Sequence, residues 1–193
     1  MRLPRSTSAI LAPAVLAAAS HGYAPRADLE AGRYLKALAE AEARLALDPR
    51  DALALAVRSQ CLTALMRFGE AAALAQRALE INGGLADAWL ARGLARAGSA
   101  VQQRNLGSLR QVSGAMEDLR TATERDPTLR MAWMTLGVAY QQLPGLLGGS
   151  TRKALACAQA LERSAPALGA TLRGSVRSLD GDWPAAARSF STS

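Results

Sequence analysis

The chain reads as an all-α solenoid of helix hairpins, and three observations predict it. Four similar phrases, Leu-Ala-Leu-Asp48-Pro49, Leu-Glu-Ile-Asn82-Gly83, Thr-Glu-Arg-Asp126-Pro127 and Glu-Arg-Ser-Ala165-Pro166, each close an apolar, Ala-rich stretch. Their spacings are 34, 44 and 39 residues, a period of 34 with insertions of ten and five. Ala37, Ala71, Ala115 and Ala154 stand twelve residues before the closing residues and keep the same steps. A fixed period near 34 residues marks supersecondary units that bury their apolar faces on one another.

Composition agrees. Half of the 193 residues are hydrophobic but only 4% are aromatic, so helices approach one another on Ala. The net charge is +7, carried by 21 Arg and two Lys. An Arg and Ala bias is what GC-rich coding produces. The basic residues also alternate with Asp and Glu instead of gathering on one face, which argues against nucleic acid as a partner. Cys61 and Cys157 fall in the second and fourth units. Helix layers step by about 8–10 Å, whereas a disulfide needs Cα atoms within about 7 Å, so buried free thiols are expected. No spacing resembles a metal site, and no cofactor is implied.

Residues 1–19 differ from the rest. Arg2 and Arg5 precede an uncharged run over 9–19 that ends in Ala17-Ala18-Ala19. This is the layout of a secretory signal peptide and is too short for a stable membrane span. The expectation is export, to the periplasm or beyond; an uncut chain would be cytoplasmic. The competing reading, a helix packed on the first repeat, would require a polar face that the run lacks. No Cys stands near the cut to carry a lipid, and His21, the only histidine, lies just past it.

The repeat domain is placed at 28–193. Helical periodicity begins near Asp28, and residues 28–47 form one amphipathic helix, or a turn and a helix, of a first unit whose opening helix is missing or degenerate. The second unit has a helix over 52–66, a turn at 67–69 and a return over 70–81; Asn82-Gly83-Gly84 suits a left-handed cap. The third opens at Asp87-Ala88-Trp89 and runs to about Ala97. Gly98, Gly107 and Gly114 then interrupt a polar insertion over 98–114, read as an excursion between paired helices with part of it, such as the helix-compatible 108–112, extending the flanking helices, and the pattern resumes over 115–124. The fourth opens at Trp133, has a loop over 143–150 and returns over 151–163. A truncated fifth carries Gly174 and Gly181-Asp182-Trp183 and stops after Phe190, an unfinished end that suits a homodimer.

Trp133-x-x-Leu136-Gly137-x-x-Tyr140, with Ala154 and Pro166 downstream, resembles the tetratricopeptide repeat (TPR) signature. Trp89-x-x-Arg92-Gly93, Leu55-x-x-Arg58-Ser59 and Gly181-Asp182-Trp183-x-x-Ala186 are looser copies, and the resemblance covers about residues 30–190. It implies a right-handed solenoid in which the first helix of each pair lines the inner face, and a scaffold that binds a protein or peptide. Arg58 and Arg92 stand where the family often has Leu and are expected to lay their stems on the core and send their charges out. On that geometry Leu53, Val57, Gln60, Leu90, Leu94, Met131, Met134, Val138 and Gln141 line a concave groove that is apolar and poor in charge.

The run Pro144-x-x-x-Gly148-Gly149-Ser150-x-x-Lys153-Ala154 resembles a loop of TatT-type periplasmic components of TRAP transporters, implying a solute-handling role as the alternative. Its structural reading is a tight turn with Ser150 capping the next helix. A third reading, if the N-terminus is retained, is a cytoplasmic TPR assembly factor. One histidine and scattered carboxylates leave no acid–base or nucleophilic constellation, so an enzyme is not expected. Mass spectrometry of the protein from its native host tests the leader. Loss of about the first 19 residues is expected, and an intact cytosolic chain beginning at Met1 contradicts export.

Overall fold

The repeat-closing phrases fold into one recurring turn. The side chains of Asp48, Asn82 and Asp126 accept the backbone N–H of Arg50, Gly84 and Thr128 at 2.9, 3.0 and 2.9 Å. Such Asx turns let the chain leave one helix and start the next within a few residues. The next helix then ties itself to the turn: the indole N–H of Trp89 donates to the Gly83 carbonyl at 2.8 Å, and that of Trp133 to the Pro127 carbonyl at 2.9 Å. Ala165 has no such side chain, and there Pro166 opens the following helix directly.

The structure, a computed structural model, describes residues 24–103, 106–179, 181, 188 and 189. Nine helices run along the described residues: α1 (Ala24–Glu30), α2 (Tyr34–Leu47), α3 (Ala52–Ala64), α4 (Phe68–Ile81), α5 (Ala86–Gln103), α6 (Leu106–Arg125), α7 (Arg130–Gln142), α8 (Thr151–Glu162) and α9 (Pro166–Leu179). A 3-10 turn, Gly145–Leu147, links α7 to α8, and no strand occurs among the described residues. They pair as α1/α2, α3/α4, α5/α6 and α7/α8, with α9 packed on α8. The leader read over 1–19 and most of the fifth unit's second half, including Trp183 and Phe190, lie outside the described residues.

The Ala positions found by spacing are where the pairs close. Ala37, Ala71 and Ala154 are fully buried and Ala115 nearly so. One turn on, Ala41, Ala75, Leu119 and Ala158 are buried as well, so each second helix presents a stripe to its partner. The partner helix answers with a small residue. At Gly137 an added Cβ would lie 2.4 Å from the Leu172 side chain and 3.2 Å from Cys157 Cβ. Unit two places Ser59 at the equivalent position, where its hydroxyl donates to the Ala71 carbonyl at 2.7 Å and leaves no buried polar atom unpaired. The core is a series of clusters along the array, joining α1–α3, then α3–α5, then α5–α9, as stacking of repeats requires.

Three sequence expectations are narrowed or corrected. The first unit's opening helix is present but short: α1 has seven residues, the degenerate form of the two expected, and turns into α2 through Gly32, at φ +72°. The extension of the flanking helices, expected for part of the insertion over 98–114, takes in all of its described residues, and no excursion is seen among them. Residues 98–103 continue α5 and 106–114 begin α6, so the hairpin grows longer than its neighbours. Gly98, read as a helix breaker, is a contact: a Cβ there would meet the Phe68 ring at 2.1 Å. Arg92, expected to reach solvent, instead clamps Asp118 with two hydrogen bonds of 3.0 and 2.7 Å. Arg96 adds a third at 2.7 Å, and the Arg92 guanidinium lies over the Trp89 ring at 4.6 Å.

Asp118 is 1% exposed and lies within α6, the two arginines one turn apart on α5. Removing the carboxylate strands two guanidiniums, one of them largely buried. Asp118→Asn is therefore expected to cost about 3 kcal/mol of unfolding free energy in a urea titration, with helix content in the folded baseline unchanged.

Candidate functional site

The inner face is identified by which helices meet. Helix α3 packs on α5, and α7 on α9, whereas among the described residues no comparable packing joins successive second helices. First helices therefore lie on the short side of the curve. Between units three and four the step is made by α6 against α7.

Helix α1 crosses this face. Its Leu29 is buried against Ala37 and Ala41 of α2 and Val57 and Cys61 of α3. Its charged residues reach units that are far away in sequence. Arg26 donates to Asp126 at 3.0 Å and pairs with Asp87 at 3.4 Å, while Glu30 pairs with Arg130. Asp28 holds the turn behind it through Arg33 and Lys36.

The electrostatics follow from burial and pairing. Burial pushes the Asp87 carboxyl up, and Arg26 only partly offsets this. Burial also opposes ionisation at Asp126, but hydrogen bonds from Thr128 and Arg26 outweigh it and hold that carboxyl below its ordinary value. Burial works against the Arg26 cation as well, and Asp87 and Asp126 together raise its pKa regardless. One guanidinium thus serves two carboxylates, one of them 5% exposed.

Two hollows flank α1. One, of about 180 Å³, is lined by Leu29, Tyr34, Gln60, Thr63, Ala64, Leu94 and Met131. The other, of about 230 Å³, is lined by Glu30, Arg130, Met131, Met134 and Leu168. Of the nine residues expected in the groove, the hollows bring together Gln60, Leu94, Met131 and Met134. Leu53 and Val138 are half-buried and line neither. Val57 is covered by α1, Leu90 is enclosed with Leu119 and Leu136, and Gln141 accepts from Ser175 of α9 at 3.2 Å. The expectation of a charge-poor groove does not hold, because Arg26, Glu30, Asp87, Asp126 and Arg130 cluster on this face. Sequence reasoning passed over these residues; the signal was Arg26-x-x-Leu29-Glu30, which puts three contact residues on one helix face.

A separate apolar cleft of about 240 Å³ lies between the lengthened hairpin and α7. Val101, Val112, Met116, Leu119, Ala139 and Leu143 form most of its wall. It exists because residues 98–103 and 106–114 are helical.

Among the described residues no group of three or more His, Cys, Asp or Glu is placed to hold a metal ion, and no helix is long and apolar enough to cross a membrane. Cys61 and Cys157 are buried free thiols. Cys61 Sγ donates to the Tyr34 carbonyl at 3.3 Å.

These hairpins, Ala and Gly crossings and inner face make the fold that of a TPR solenoid, and comparison with solved structures bears this out. The chain is similar to TTC0263, a thermophilic TPR protein of Thermus thermophilus, at 17% identity, with 88% of each chain covered and a TM-score of 0.71. It is similar to MamA of Desulfovibrio magneticus RS-1 at 18% identity, covering 86% of this chain and 87% of that one, with a TM-score of 0.55. YrrB, described as a TPR protein with an unusual peptide-binding site, matches at 18% identity over 87% of this chain and 80% of its own, with a TM-score of 0.53. No protein-family model matches the chain, and no curated protein matches it by sequence. None of these three structural matches supports the TatT-type resemblance of residues 144–154.

Burial pushes both thiols up to about 11. At pH 8 almost none of either is thiolate, so Ellman's reagent is expected to react slowly with the folded chain and promptly with two thiols after denaturation. Prompt reaction of the folded chain contradicts the burial.

Proposed function

We propose that this chain is a non-enzymatic interaction scaffold that holds a peptide or short helix of a partner protein on its concave face. The observation that carries the reading is that this face already holds a short helix. Helix α1 lies across it, and on both sides of α1 half-buried Leu94, Met131 and Met134 leave hollows unfilled. Exposed apolar surface of this kind favours a protein partner, and Met adapts to partners of differing shape. The peptide-binding site named for YrrB supports the same use of the fold. The leader-like segment over 1–19 supports a place for this activity in the cell envelope.

The test is capture of a partner from the envelope fraction of the native host by the mature chain. Leu94→Glu with Met134→Glu is expected to abolish capture while the helical circular dichroism is kept. Retained capture contradicts the groove, and loss of the helical signal assigns both residues to the core instead.

A further inference from the structure

We propose that α1 is a built-in stand-in for the partner. The external ligand of the inner face is then a short helical segment of the same chemistry: a basic residue, an apolar residue three positions later and an acidic residue next to it. This rests on the scaffold reading above and specifies the partner's chemistry.

Three features of α1 support it. First, its ion pairs with distant units and its buried Leu29 come from one face. Arg26, Leu29 and Glu30 stand at i, i+3 and i+4, the spacing by which an amphipathic helix enters a groove. Second, the face has a fixed polarity that only such a segment satisfies. Asp87 and Asp126 approach one cation, Arg26, and with no cation there a buried carboxylate would sit beside a second negative charge. Arg130, at the other end, takes the carboxylate of Glu30. Between them, Leu29 forms one wall of the hollow lined also by Gln60, Leu94 and Met131. Third, α1 is built to be exchangeable. It has seven residues against 13 to 18 in α3, α5 and α7, and helices this short do not hold themselves together. It hangs on the Gly32 turn, and its pairs with Asp126 and Arg130 are partly solvated. A longer partner helix carrying the same three groups can take its place and also cover Met134 and Leu168.

The experiment uses the full chain and a fluorescein-labelled, lactam-stapled peptide with the sequence of residues 23–33. Arg26→Glu sets α1 against Asp87 and Asp126, and hydrogen exchange of residues 24–33 reports its release. Fluorescence anisotropy is expected to show the peptide binding this variant at least about ten-fold more tightly than the unaltered chain. A peptide with Glu in place of its Arg is expected not to bind. Asp126→Asn added to Arg26→Glu is expected to weaken the peptide, with Leu94→Glu as a second route if that double variant does not fold. Equal binding by the variant and the unaltered chain overturns the proposal. So does an absence of binding once exchange shows α1 released, or binding indifferent to the peptide's Arg. Those failures leave partner capture and its loss in Leu94→Glu with Met134→Glu untouched, whereas failure of capture alone strikes the scaffold reading.

Discussion

Everything in this array depends on how closely two helices can approach at a side chain no larger than a methyl group. Ala37, Ala71, Ala115 and Ala154 occupy the same place in successive pairs and are buried. Opposite them the partner helix offers Ser59, Gly93 or Gly137. At Gly93 a Cβ would come within 3.0 Å of Leu119, so that crossing leaves no spare volume. With so few aromatics, tight approach is the route by which the chain reaches interior packing density. Because each crossing is local, the pairs stack in a line, and the line creates an inner face made of first helices.

That face is where charge enters. A stacked array with an open inner side would leave Asp87 and Asp126 to water, yet α1 folds over them and brings Arg26 into both. The same short helix walls one side of an apolar hollow with Leu29. The structure thus joins units one, three and four by contacts that simple neighbour-to-neighbour stacking does not supply. These contacts place a basic and an acidic residue of α1, about one helical turn apart, against groups of opposite charge on the inner face.

The fold was legible in the sequence because its devices recur at a fixed period. The Asx turns at Asp48, Asn82 and Asp126, the indole contacts of Trp89 and Trp133, and the Ala stripe all repeat in register. What departed from the period was misread. Gly98 and Gly114 signal a loop by propensity, but tertiary contact decides: Phe68 fills the space at the first, and Arg96 lies over the second. Nothing periodic marks Asp118, and only the pairing of α5 with α6 sets it beneath Arg92 and Arg96. Projection of first helices named Gln60, Leu94, Met131 and Met134, which line the hollows beside α1, but not that α1 covers Val57 or that Arg26 reaches Asp126, one hundred residues away. Non-repeating, long-range contacts leave no periodic trace.

The packing claim is tested most directly by two substitutions in one helix. Ala71 and Ala73 both lie in α4, the first fully buried at a crossing and the second exposed. Ala→Leu changes helix propensity little at either place. Guanidinium unfolding is predicted to show Ala71→Leu destabilised by about 1–3 kcal/mol and Ala73→Leu within about 0.5 kcal/mol of the unaltered chain. Equal stabilities for the two variants would contradict the account.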